Sequence, residues 1–236
     1  MELADYREFA GDDSSRENTR RIEGEANDLL KRFSKYGSNP DSKSLDLACK
    51  FLHDVELWKQ MGQSAKAIYA EQNDPKCIWN CLMYVKDAKT DTAAFEQVMR
   101  LKGFGKTGVS KQASAVLRFI DPYRWGTVDW RNAAMIAFYD KNDKDPDVAV
   151  EKAKKESRRK YKELYNNMDA KIASCYQKRY RECICERLPR VADVDLAFWG
   201  MSVKAWPLWE GGKPIAPEPI AVGGKPASEI VIEDRR

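Results

Sequence analysis

Apolar residues recur at three- and four-residue intervals along most of this chain and rarely alternate with polar ones, so the pattern predicts helices and no strand-rich block. The predicted helices run from Ser15 to Tyr36, Leu45 to Met61, Ser64 to Gln72, Cys77 to Val85, Ala93 to Arg100, Ser110 to Phe119, Trp130 to Tyr139, Asp147 to Asn167, Asp169 to Arg187 and Asp193 to Met201. Gly37-Ser38-Asn39-Pro40 separates the first two, and Asp91, Ser110, Asp129 and Asp193 are capping residue types at four of the starts. Cys77, Cys81 and Tyr84 share one helical face and, with Trp79, are expected in the core. After Val203 the periodicity stops, and a Pro- and Gly-rich tail begins at Trp206-Pro207-Leu208-Trp209-Glu210-Gly211-Gly212-Lys213-Pro214, expected to be a linker or strap.

At 236 residues the chain can form one large domain or two small interleaved ones. Its 43% hydrophobic and 33% charged content excludes a largely disordered polymer. The longest uncharged apolar stretches, Cys77 to Val85 and Leu196 to Val203, fall short of the roughly 20 residues of a membrane span. Met1-Glu2-Leu3-Ala4-Asp5 is not a basic-then-apolar leader. An intracellular protein is expected, in a cytoplasm and nucleoid or in a nucleus, with no membrane partner. The net charge of +4 permits nucleic-acid binding without requiring it. Between Glu151 and Arg190, however, basic residues outnumber acidic ones by about two to one. The plain account of that run is a solvated helix face with i,i+4 pairs.

Six cysteines without a secretory leader read as buried thiols rather than a disulfide framework, and none has zinc-ligand spacing. His53 is the only histidine, so little in the sequence supports a Ser-His-Asp triad, a Cys-His dyad or a His-rich metal site; it reads as structural, and no metal is expected.

The stretch that carries chemistry is Val98 to Phe119, which reads as helix, glycine hairpin, helix. Gly103 and Gly105 permit a tight reversal and leave backbone N–H groups open to a phosphate approaching the next helix's N-terminus. Leu101, Lys102, Gly103, Phe104, Gly105 and Lys106 form this expected phosphate cradle, with Lys102 and Lys106 adding salt-sensitive attraction. Gly105-Lys106-Thr107 echoes the end of an ATP-binding phosphate loop, but the first glycine of that pattern is replaced by Arg100 and the preceding segment is helical where a strand is needed.

Leu101-x-Gly103-x-Gly105, then Lys111-Gln112-Ala113-Ser114-Ala115-Val116-Leu117, then Gly126-Thr127-Val128-Asp129-Trp130-Arg131, resembles the core of the helix-hairpin-helix (HhH-GPD) DNA glycosylase superfamily, which includes endonuclease III and 8-oxoguanine glycosylase. The resemblance covers Phe95 to Ala134. It implies an all-α fold of two interleaved helical lobes with a DNA cleft between them. Residues 41–128 would form one lobe carrying the hairpin at 101–110, residues 14–40 with 129–204 the other, and 205–236 a tail. It further implies a monomer acting on damaged double-stranded DNA, with Lys111 as nucleophile and Asp129 as catalytic carboxylate, 18 residues apart. Four extra residues precede Lys111, which leaves Lys106 as a rival. Cys175, Cys183 and Cys185 are too few and wrongly spaced for the family's iron–sulfur cluster, so no such cofactor is expected. A monovalent cation on the hairpin carbonyls is the one bound ion the resemblance leaves open.

The chemistry accounts for these residue types. Breaking an N-glycosidic bond builds positive charge on the sugar, which a carboxylate such as Asp129 stabilises. An amine at C1′ must be deprotonated, and nearby cations with a helix N-terminus disfavour the ammonium form. The resulting Schiff base would eliminate to nick the strand. The extruded base needs an aromatic pocket, for which Tyr123, Trp125 and Trp130 are candidates. Taken singly, Asp129 also reads as an ordinary helix cap and Lys111 as a helix-start lysine. Two other classes stand beside the glycosylase: a non-catalytic helix-hairpin-helix DNA-binding protein, and a helical protein-interaction module.

Overall fold

The computed structural model describes residues 1–11, 13–59, 69–104, 110–164 and 168–207, plus four two-residue strands beyond them; the side chains of 13–15, 69, 110, 111, 159, 163, 164 and of the strands are outside the description. The described chain is predominantly helical. Its helices are α1 (Asp13–Tyr36), α2 (Ser42–Trp58), α3 (Tyr69–Gln72), α4 (Pro75–Asp87), α5 (Asp91–Val98), α6 (Ser110–Ile120), α7 (Trp130–Lys141), α8 (Pro146–Lys154), α9 (Arg158–Leu164), α10 (Ala170–Glu182) and α11 (Val191–Ala205), preceded by a 3-10 helix at Leu3–Phe9. Contacts divide the chain into two units, Met1–Ala205 and Trp206–Arg236. The second contains two antiparallel ladders, β1 (Trp209–Glu210) with β2 (Lys213–Pro214) and β3 (Ala221–Val222) with β4 (Lys225–Pro226).

Short polar residues start most helices by accepting otherwise unpaired backbone N–H groups. Asp41 caps α2, Asp74 caps α4 ahead of Pro75, Asp145 caps α8 ahead of Pro146, and Asp169 caps α10. Two expected caps are corrected. Thr90, not Asp91, caps α5, and Asp193 lies inside the first turn of α11, bound by Arg190. Asp91 instead accepts from Trp125 Nε1 at 3.0 Å and from Arg181 at 2.5 Å. At the end of α1, Gly37 takes a positive φ of 52°, a left-handed stop that a side chain would strain. Its carbonyl accepts from Trp79 Nε1 at 2.9 Å.

The core of the first unit forms where α2, α4, α5 and α6 pack together and where α7, α8 and α11 pack together, with α10 touching α5, α6 and α11. Helix α1 lies against α2, α4 and α6, while the 3-10 helix rather than α1 runs along α11. That short helix has one fully buried apolar residue, Tyr6, too little for a periodic signal in the sequence. It docks because Gly200 has no side chain: a Cβ there would stand 1.8 Å from the Tyr6 carbonyl oxygen. The single helix predicted from Asp147 to Asn167 is interrupted between Lys154 and Arg158, and beyond the break Tyr161 meets Phe138 with ring centroids 5.2 Å apart. Of the helix predicted at Ser64 to Gln72, 60–68 lie outside the described residues, and Tyr69–Gln72 is helical.

Trp79 is fully buried as expected, but Cys77 and Tyr84 on the neighbouring face are exposed and only Cys81 is enclosed. The thiols are correspondingly mixed: Cys77, Cys175 and Cys185 are exposed, Cys49 and Cys183 half-buried, and all six are free. Among the described residues no helix is long and apolar enough to cross a membrane.

Candidate functional site

The loop carrying Asp129, from Gly126 to Val128, has no strand to pair with and is buried, so its backbone groups must find side-chain partners. They find them on four helices. Gln177 of α10 clamps Gly126 from both sides, accepting its N–H at 2.8 Å and donating to its carbonyl at 2.7 Å. Asp195 of α11 accepts from Thr127 N–H at 2.7 Å, and Tyr180 Oη donates to the Thr127 carbonyl at 2.8 Å. Ser114 of α6 accepts from Val128 N–H at 2.9 Å, and Asn132 of α7 donates to the Thr127 carbonyl at 3.2 Å. Gly126 is required by this crowding: a Cβ would come 2.7 Å from Asp195 Cβ.

The clamped loop delivers Asp129 to the N-terminus of α7. Its Oδ1 accepts from the backbone N–H groups of Arg131 at 2.9 Å and Asn132 at 3.1 Å. Its Oδ2 accepts from Lys59 Nζ at 3.0 Å, a residue 70 positions earlier at the end of α2. The side chains are 20% and 13% exposed for Lys59 and Asp129, so the pair is nearly but not wholly enclosed. Burial alone would push Asp129 up; the Lys59 charge and hydrogen bond, with the two backbone donors, outweigh it and hold the carboxyl below its ordinary value.

A second acid sits behind the first. Asp195 is 3% exposed, and burial raises its carboxyl to about 6 against the opposing pull of Arg118, Thr127 N–H and Lys59. Two neighbouring carboxyls are thus driven apart, one held ionised and one near neutrality. Arg131, the residue after Trp130, is also buried, and burial lowers its guanidinium to about 10; it lies 5.2 Å from the Trp130 ring centre and 5.4 Å from that of Trp199.

The structure brings together only some of the residues expected from sequence. Lys111 stands in the first turn of α6, but its side chain, like Gly105 and Lys106 entirely, lies outside the described residues. In the described part of the hairpin, Gly103 has the expected positive φ, 92°. The phosphate cradle is narrower than expected, because three of its N–H groups are spent inside the protein. Leu101 donates to Val98 at 3.1 Å, Phe104 to Leu101 at 3.0 Å, and Lys102 to Asn73 Oδ1 at 2.8 Å. Leu101 and Phe104 side chains are core, leaving the Lys102 side chain and Gly103 exposed.

One base-pocket candidate is corrected. Trp125 is fully buried, with Nε1 on Asp91 and the Arg124 guanidinium 4.3 Å from its ring centre, so no base can reach it. Tyr123 is 68% exposed on the turn after α6 and lines an open cavity of about 790 Å³ together with Phe119, Pro122 and Arg190. Trp130 is half-buried next to Asp129. Four arginines of the basic stretch expected along a DNA cleft are paired within the protein: Arg179 with Asp140 and Glu182, Arg181 with Asp91, Arg187 with Glu2 and Asp5, and Arg190 with Glu23 and Asp193.

Lys59 and Trp58 are the residues that sequence reasoning missed. Trp58 is half-buried, donates to Thr19 Oγ1 at 3.1 Å and lines a cavity of about 600 Å³. Nothing local marks either one, since both lie at the end of an amphipathic helix like any other. Among the described residues, no group of three or more His, Cys, Asp or Glu side chains could hold a metal ion. Compared with protein-family models, with curated proteins and with solved structures, the chain returns no match.

Proposed function

We propose that this chain is a base-excision DNA glycosylase working at Asp129. The observation that carries the reading is the buried carboxylate held ionised at the N-terminus of α7, with an amine 3.0 Å away and a glycine hairpin ahead of the preceding helix. A fixed negative charge in a site of restricted water access is what stabilises positive charge on a sugar as its base departs. The departing base takes the glycosidic electron pair. Where an amine then bonds C1′, it loses a proton and its lone pair opens the sugar ring by breaking the C1′–O4′ bond, O4′ taking up a proton, to give a Schiff base that borohydride reduces to a stable adduct. Lys59 joins Lys111 and Lys106 as a candidate for that amine. Damaged duplex DNA is the proposed substrate.

The test is base release and borohydride trapping over duplexes carrying oxidised, alkylated and deaminated bases. Asp129→Asn should slow release by at least about a hundredfold. Alanine variants of Lys59, Lys106 and Lys111 identify the amine by loss of the adduct. Release unaltered in Asp129→Asn would end this reading.

One observation favours a second reading, a non-catalytic DNA-binding protein on the same scaffold. Both Asp129 oxygens are already engaged, Oδ1 by two backbone donors and Oδ2 by Lys59, as in a purely structural cap. Salt-sensitive duplex binding with no lesion preference and no base release would select it.

A further inference from the structure

The cavity of about 600 Å³ beside Trp58 is walled by arginines from four parts of the chain: Arg7 of the 3-10 helix, Arg16 and Arg20 of α1, Arg118 of α6, and Arg187 and Arg190 ahead of α11. No lysine is among its described lining residues, although the chain has 24 lysines and 17 arginines. Guanidinium forks match the paired oxygens of phosphate, where a lysine offers only a point charge.

Charge is not what is left over here. Arg7 pairs with Asp193 at 3.3 Å, Arg190 with Glu23 and Asp193, and Arg187 with Glu2 and Asp5. Hydrogen-bond donors are. Arg118 is fully buried, yet its Nε, Nη1 and Nη2 make no hydrogen bond within the protein. Its nearest carboxylates stand off, Asp195 Oδ2 at 3.4 Å from Nε and Glu23 Oε1 at 3.6 Å from Nη1, and Asp195 Oδ2 already accepts from Thr127 N–H. An unsatisfied buried guanidinium is among the costlier groups to hold in a fold. Arg20, another lining residue, is exposed and has no ion pair among the described residues.

The remaining walls fit an organic group attached to the anion. Trp58 offers an aromatic surface, with the Arg118 guanidinium 5.3 Å from its ring centre and Phe119 edge-on to it at 5.0 Å. The volume lies in the range of about 300–1,000 Å³ typical of small-molecule sites, far more than a bare phosphate fills. We propose that this cavity binds a nucleoside monophosphate, its phosphate taken by the Arg20 and Arg118 side and its base lying on Trp58. The proposal does not depend on the glycosylase reading.

Titration calorimetry on the full chain tests it, with adenosine and guanosine monophosphate as probes and the matching nucleosides and inorganic phosphate as controls. At least one monophosphate should bind, and its nucleoside and inorganic phosphate should each bind at least tenfold more weakly. Arg118→Met should weaken the monophosphate at least tenfold, and the exposed-residue variant Arg20→Ala, which leaves the core intact, at least threefold. Equal binding of nucleoside and monophosphate would overturn the proposal. So would no heat from either monophosphate at millimolar concentration and low salt, or an unchanged affinity in Arg20→Ala.

Discussion

Replacing Lys59 with methionine keeps the aliphatic stem and removes the charge that, among the described residues, pairs with Asp129. Removing one partner of a fully buried ion pair costs about 3–5 kcal/mol. Here the carboxylate keeps two backbone donors, and both side chains retain some exposure, so the expected loss is smaller, about 2–3 kcal/mol at pH 7. The pH dependence is more diagnostic than the size. In the native protein Asp129 titrates below its ordinary value of 3.8, so the pair contributes stability above that value and loses it as pH falls through the folded one. In Lys59→Met, burial is no longer opposed by the ammonium and Asp129 moves upward. The variant then carries a penalty at neutral pH that relaxes as the acid takes up a proton. Urea unfolding of both proteins should show the gap full at pH 7 and reduced at pH 4, with Lys59→Arg losing less at both. A gap under about 0.5 kcal/mol, or one unchanged between the two pH values, would refute the coupling of amine and acid.

Gly200→Ala should destabilise by about 2–4 kcal/mol, although alanine in a helix interior ordinarily gains about 1 kcal/mol over glycine, because its methyl would meet the Tyr6 carbonyl at 1.8 Å. A lower melting temperature with faster proteolysis near Arg7 checks it, and a higher one sinks it. Gln177→Leu removes both bonds to Gly126 and leaves two buried backbone groups unpaired, for a loss of about 2–5 kcal/mol by urea denaturation. A thiol reagent should label Cys77, Cys175 and Cys185 in the native protein. Cys81, enclosed and pushed up to about 12 by burial, should react only on unfolding; rapid native labelling of Cys81 would contradict its placement.

The helices were legible because helical signals are local. Asp129 reads as a cap from its type and position, and the glycine hairpin's positive φ at Gly103 follows from residue identity. The 3-10 helix was not, since it is held by a contact between Tyr6 and Gly200, nearly two hundred residues apart, and not by its own pattern. The same limit explains Cys77 and Tyr84. Spacing puts them on one face with Cys81, but which face meets α2 and α5 is decided by those helices.

The candidate site divides along the same line. Its acid could be read from sequence and its described amine could not, because Lys59 reaches Asp129 only through the packing of α2 on the rest of the unit. Behind this cap lies a polar layer. Gln177, Tyr180, Asn132 and Asp195 are each nearly or fully buried, and all bind one three-residue loop. Apolar side chains at those positions would leave the loop's backbone unpaired, so the layer is needed wherever this loop is buried. It does not follow that a loop must be buried there, and a plain helix start could have been left to water. Enclosing it fixes the Asp129 carboxylate in one geometry, keeps it ionised through Lys59, and sets a near-neutral acid behind it. Such pre-arranged charge is what the proposed reaction would use to stabilise positive charge on the sugar.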